Sequence, residues 1–107
     1  VMKQKDKTAL AEFKTRVKES FPEADFILFG SKARGEDTES SDLDVLVLID
    51  GPITVNREKK IFSIGFESGL NFNVVFGLAV EEKTFWGSSI AKAMPFYQNI
   101  IKEGLRV

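Results

Sequence analysis

The sequence predicts an α/β (α+β) domain, a small mixed β-sheet flanked by helices, and three observations point there. Apolar residues recur at helical spacing near the start, at Leu10, Phe13, Val17 and Phe21. Two short apolar runs, Asp25–Phe29 and Asp42–Ile49, read as buried strands. Helix and strand signals then alternate, with too few strands for a doubly wound sheet.

The elements follow in order. Lys5–Ser20 is an amphipathic helix, ended by Pro22, which cannot continue the ladder. Asp25–Phe29 is a buried strand ending at Gly30, and Ser31–Gly35 is a turn or one turn of helix. Glu36–Ser41 is polar and reads as a loop, and Asp42–Ile49 is the strongest strand, closed by Asp50-Gly51-Pro52. Val55–Ser68 reads as a helix stopped by Gly69, with Gly65 as an unfavourable interior residue. Asn71–Leu78 alternates as a third strand, with Phe72, Val74 and Phe76 on one face. Glu81–Ala93 is expected to be helical, and Pro95 opens a last helical stretch before Gly104. Phe62, Phe66, Phe72, Phe76, Phe85, Trp86 and Phe96 are assigned to the core.

The chain has 107 residues and 43% hydrophobic content, enough for one domain with one core. Residues 1–4 are set aside as a disordered or vector-derived end. With no cysteine and no histidine, disulfides, zinc sites and histidine bases drop out. Any metal must sit on oxygen, which suits Mg²⁺ or Mn²⁺. A net charge of −1 gives no whole-domain grip on nucleic acid. No apolar run approaches the roughly 20 residues of a membrane span, so a cytoplasmic protein is expected.

The stretch that carries chemistry runs from Phe29-Gly30-Ser31-Lys32-Ala33-Arg34-Gly35 to Asp42-Leu43-Asp44. Along a strand, residues two apart share a face, so Asp42 and Asp44 project together and repel. A divalent cation removes that repulsion. Gly30 lets a group approach the backbone, and the N–H groups opening at Ser31 attract phosphate oxygens. Lys32 and Arg34 are candidates to neutralise outer phosphates. Each element alone is common. The spacing of Gly-Ser, ten residues, Asp, one residue, Asp arises by composition in on the order of one chain in a thousand.

Gly30-Ser31 with Asp42-Leu43-Asp44 resembles the signature of the DNA polymerase beta-like nucleotidyltransferase superfamily. The Gly-Ser-Lys-Ala-Arg-Gly form and the short chain are similar to its minimal nucleotidyltransferases, as is the tail Pro95–Ile100 with Glu103-Gly104. The resemblance implies the nucleotidyltransferase fold and metal-dependent transfer of a nucleoside monophosphate, AMP by preference, from ATP or another NTP to a hydroxyl. Gly30 and Ser31 would hold phosphate, and Asp42 and Asp44 would ligate the metal. The likeness also implies a helical HEPN-type partner protein, as in toxin–antitoxin pairs. A homo-oligomer is compatible with the sequence.

One departure stands out. The family supplies a third carboxylate from a neighbouring strand, and alternation along Leu70–Phe76 puts Asn73 there, with Asn71 second and Glu67 as a weaker substitute. Asparagine brings a carbonyl ligand but no charge. The competing expectation is therefore a degenerate module that binds nucleotide or a partner without catalysis.

Overall fold

The computed structural model describes residues 2–36 and 42–107; positions 37 to 41 of the expected loop lie outside the described residues. Its helices are α1 (Gln4–Ser20), α2 (Gly30–Arg34), α3 (Val55–Phe72), α4 (Lys83–Trp86), α5 (Ser89–Lys92) and α6 (Pro95–Glu103). Its strands are β1 (Asp25–Phe29), β2 (Leu43–Ile49), β3 (Phe76–Glu82) and β4 (Leu105–Arg106). They form one mixed sheet in the order β3-β2-β1-β4, with β2 and β3 parallel and the other pairs antiparallel.

Alternation along β2 builds two apolar layers. Leu43, Val45, Val47 and Ile49 face α1 and α3, where they meet Leu10, Phe13, Val17, Ile61 and Ile64. Phe13 is fully buried between Phe26 and Phe76, its ring centroid 5.9 and 4.9 Å from theirs. Leu46 and Leu48 face the other way, onto Ile27 and Ile100, with Phe29, Trp86 and Phe96 packed around them. Asp44 belongs to this second face by the same alternation.

Three expectations shift. The helix expected to stop at Gly69 runs to Phe72, because Ile61, Ile64, Gly65 and Ser68 keep one buried helical face. Gly65 is no defect: a Cβ there would stand 2.6 Å from Leu78 Cδ1, so glycine lets α3 close on β3. Asn73 then ends the helix in the left-handed region (φ 55), a conformation asparagine tolerates. The third strand accordingly begins at Phe76, not Asn71, and runs on to Glu82. The expected helix over Glu81–Ala93 is replaced by the end of β3 and the short helices α4 and α5. Phe62 and Phe66, assigned to the core, are exposed.

Near the start, Met2 packs against the first core layer. Lys3 N–H donates to Asp6 Oδ2 at 3.2 Å, which caps α1.

Candidate active site

Asp44 lies between two glycines. On one side it pairs across the antiparallel ladder with Phe29, so Gly30 follows beside it; on the other its partner is Gly77 of β3. A Cβ on Gly30 would fall 2.3 Å from Asp44 Oδ2, and one on Gly77 would fall 2.3 Å from Oδ1. The carboxylate therefore fills the room that two neighbouring side chains would take. Gly30 also turns the chain from β1 into α2 with φ +73, a conformation that L side chains avoid.

Asp42 precedes β2 by one residue, is exposed, and lies on the same side: its Cβ is 3.9 Å from the place a Cβ on Gly77 would take. Burial, and then the charge of Asp42, push the Asp44 carboxyl above its ordinary range, and the Arg34 guanidinium partly offsets this. Two neighbouring carboxylates at the start of β2, offering only oxygen, form a donor set that suits a hard divalent ion. Ser31 stands next to Gly30 in the first turn of α2, half-buried.

Arg34 ends α2. Its Nε donates to Glu36 Oε1 at 2.5 Å and its Nη1 to Glu103 Oε1 at 3.0 Å. Glu103 ends α6, so this ion pair fastens the last helix to the glycine-led turn.

Two of the residues selected from the sequence sit elsewhere. The Lys32 ammonium is turned toward α1, where it donates to Asp6 Oδ2 at 3.0 Å, and both side chains are buried. The expectation that Lys32 meets outer phosphates is corrected: it ties the turn to α1. The expectation of Asn73 in the third-ligand position is also corrected, because Asn73 caps α3 and the β3 residue beside Asp44 is Gly77. Asn71 donates to Glu12 on α1, and Glu67 pairs with Arg16 at 2.6 Å, so neither substitutes. Among the described residues no group of three or more acidic, histidine or cysteine side chains could hold a metal. Sequence reasoning missed Asp6, Gly77 and Glu103 in these roles. Only Glu103 had left a trace, in the tail pattern; the other two depend on which elements touch.

A family model described as a nucleotidyltransferase domain matches residues 10–104. Among curated proteins, a candidate protein adenylyltransferase of Methanocaldococcus jannaschii, MJ0141, is 38% identical over 64 residues, 60% of this chain and 65% of that protein. A second from the same organism, MJ0604, is 32% identical over 80 residues, 73% of this chain and 71% of that protein. The chain thus spans just under two-thirds of the first relative. Among solved structures, a toxin–antitoxin with AMP-PNP superposes with a TM-score of 0.59 at 16% identity, covering 88% of this chain and 68% of that one. The toxin–antitoxin MntA-HpeT, in a mutant form, gives 0.56 at 17% identity with the same coverage. At these identities the likeness is one of fold.

Proposed function

This chain belongs to the nucleotidyltransferase domain family, and we propose that it moves AMP from ATP to a hydroxyl, with Asp42 and Asp44 holding Mg²⁺ or Mn²⁺ and Gly30-Ser31 holding phosphate. The observation that carries this reading is the Asp44 carboxylate wedged between Gly30 and Gly77 beside Asp42. Both glycines keep the space open, and the turn at Gly30 brings backbone N–H groups to the same place.

In the reaction the acceptor oxygen bonds to the α-phosphorus and the bond from that phosphorus to the bridging oxygen breaks. Pyrophosphate leaves with the electron pair, and the hydroxyl proton passes to solvent. A bound divalent ion supplies charge neutralisation on the phosphates and the leaving oxygen. Asp42 and Asp44 fix where that charge sits. Ser31 and the first N–H groups of α2 orient the polyphosphate, and Arg34 adds a cation at the end of the same turn.

The acceptor we favour is a hydroxyl on a partner protein, a helical HEPN-type chain. Support comes from the protein-adenylyltransferase names of the relatives and from toxin–antitoxin neighbours, one solved with AMP-PNP. No described helix is long and apolar enough to cross a membrane, and we place the reaction in the cytoplasm, where ATP is made available to such a pair.

The test is incubation with ATP labelled at the α-phosphate, Mg²⁺ or Mn²⁺, and candidate partners. Label should move to protein and vanish in the Asp42→Ala/Asp44→Ala variant. A second reading, a nucleotide- or partner-binding module without catalysis, is favoured by one observation: Gly77 offers no carboxylate where Asp44 has its β3 neighbour. Nucleotide binding without any transfer would decide for it.

A further inference from the structure

β3 is an edge strand of seven residues, and among the described residues no strand pairs with its outer side. The ladder to β2 fixes which groups are left over. Leu43 N–H donates to Val75 O at 2.8 Å, and in a parallel ladder this phase sets the odd-numbered residues of β3 against β2. The N–H and C=O groups of Phe76, Leu78, Val80 and Glu82 therefore point outward. Such an edge is a template for another strand.

Beside that edge α3 carries an unpartnered apolar stripe. Phe66 is 68% exposed, Leu70 66% and Val55 73%, with Phe62 between them on the same helical face. Phe62, Phe66 and Leu70 wall an open groove of about 310 Å³ against the start of β3. A contiguous apolar patch next to an unpaired strand is an association surface rather than scattered exposure.

The surface is complementary to itself. Turned antiparallel on a copy of itself, α3 sets Phe62 of one helix against Phe66 of the other. β3 likewise accepts an antiparallel copy of itself. The one register that pairs all seven residues puts Ala79 on the two-fold axis. Leu78 then faces Val80, and Gly77 faces Glu81 of the second copy.

That last pair matters for the site. Glu81 shares the sheet face of Asp44, since its β2 partner Leu48 lies in the same layer as Leu46. Gly77 and Glu81 of the copy form a non-hydrogen-bonded pair, the kind whose side chains approach most closely. Gly77 has no side chain to block the way, and its other neighbour is Asp44.

We propose that this chain forms a two-fold dimer through β3 and α3, and that Glu81 of each copy supplies, across Gly77, the third carboxylate of the metal site of the other. The dimer stands on the surface alone; the role of Glu81 rests on the metal-site reading above.

Sedimentation of the 107-residue chain should give twice the 12.0 kDa mass. Phe66→Lys, which alters an exposed side chain, should return it to the single mass with an unchanged circular dichroism spectrum. Titration with Mn²⁺ alone should show Glu81→Gln to be dimeric but at least about tenfold weaker in affinity. The deciding experiment mixes Asp44→Asn with Glu81→Gln. Half of the dimers are then mixed, each with one complete site, so about one quarter of the tight Mn²⁺ sites should return. A monomer at all concentrations, or a dimer indifferent to Phe66→Lys, overturns the interface. No recovery on mixing overturns the shared site. Absence of Mn²⁺ binding by the wild-type dimer would instead sink the metal-site reading and leave the dimer standing.

Discussion

Gly77 and Asp44 are partners across the parallel β2–β3 ladder, and the absent Cβ of one is the space occupied by the carboxylate of the other. Gly77→Ala should therefore act on the site more than on the fold. Its backbone is not in the left-handed region, and the group it meets is the movable end of a side chain. Stability should change by less than about 1 kcal/mol, while displacement of Asp44 should slow transfer by roughly a hundredfold. Gly30→Ala meets the same carboxylate but also forces alanine to φ +73, and should cost about 1–2 kcal/mol in denaturant melts besides activity.

The Asp44 carboxyl, raised chiefly by burial and then by Asp42, keeps its proton to higher pH in the folded chain than in the unfolded one. Its contribution to stability is complete below the ordinary carboxylate range and is lost as pH rises through that range toward the raised folded value. Asp44→Asn removes this loss. Without metal, the variant should melt at a higher temperature than the wild type at pH 7, with no gain at pH 3. Its transfer activity should disappear.

The buried pair of Lys32 and Asp6 fastens the glycine-led turn to the start of α1. Asp6→Ala takes the carboxylate from a buried ammonium and should cost about 3–5 kcal/mol in urea melts. Asp6→Leu combined with Lys32→Met, apolar residues of similar size, should recover most of that loss. Phosphate-dependent readouts should then be near wild type, because the buried ammonium is paired with Asp6 of α1.

Arg34 is half-exposed and held by Glu36 and Glu103. Arg34→Gln should leave the melt almost unchanged, since exposed ion pairs contribute little to stability. It should weaken Mg·ATP by roughly tenfold in calorimetry.

Removal of metal supplies a separate check. Saturating Mg·ATP at about a hundred times its Kd should stabilise the wild type by about 2.7 kcal/mol in a thermal shift. EDTA should abolish the shift, and Asp42→Ala should reduce it.

How far the sequence reached depends on the range of the interactions involved. α1, β1 and β2 were legible because each is set by local periodicity: Leu10, Phe13 and Val17 on one helical face, Leu43, Val45 and Val47 on one strand face. The shared side of Asp42 and Asp44 followed from the same period of two. The start of β3 was misread because Asn71–Phe76 alternates like a strand, whereas packing of Gly65 and Gly69 against Leu78 and Val74 carries the helix on to Phe72. Lys32 was misread because its partner Asp6 lies 26 residues away and only the fold brings α1 over α2.

The sequence by itself determined the domain class, the paired aspartates and the glycine-led turn, since these are written in spacing over a few residues. Tertiary structure alone decided that Asp44 sits between Gly30 and Gly77, that Lys32 pairs with Asp6, and that Asn73 caps a helix. Those outcomes turn on register and close approach between distant segments, which side-chain volume and strand pairing fix only once the sheet has formed.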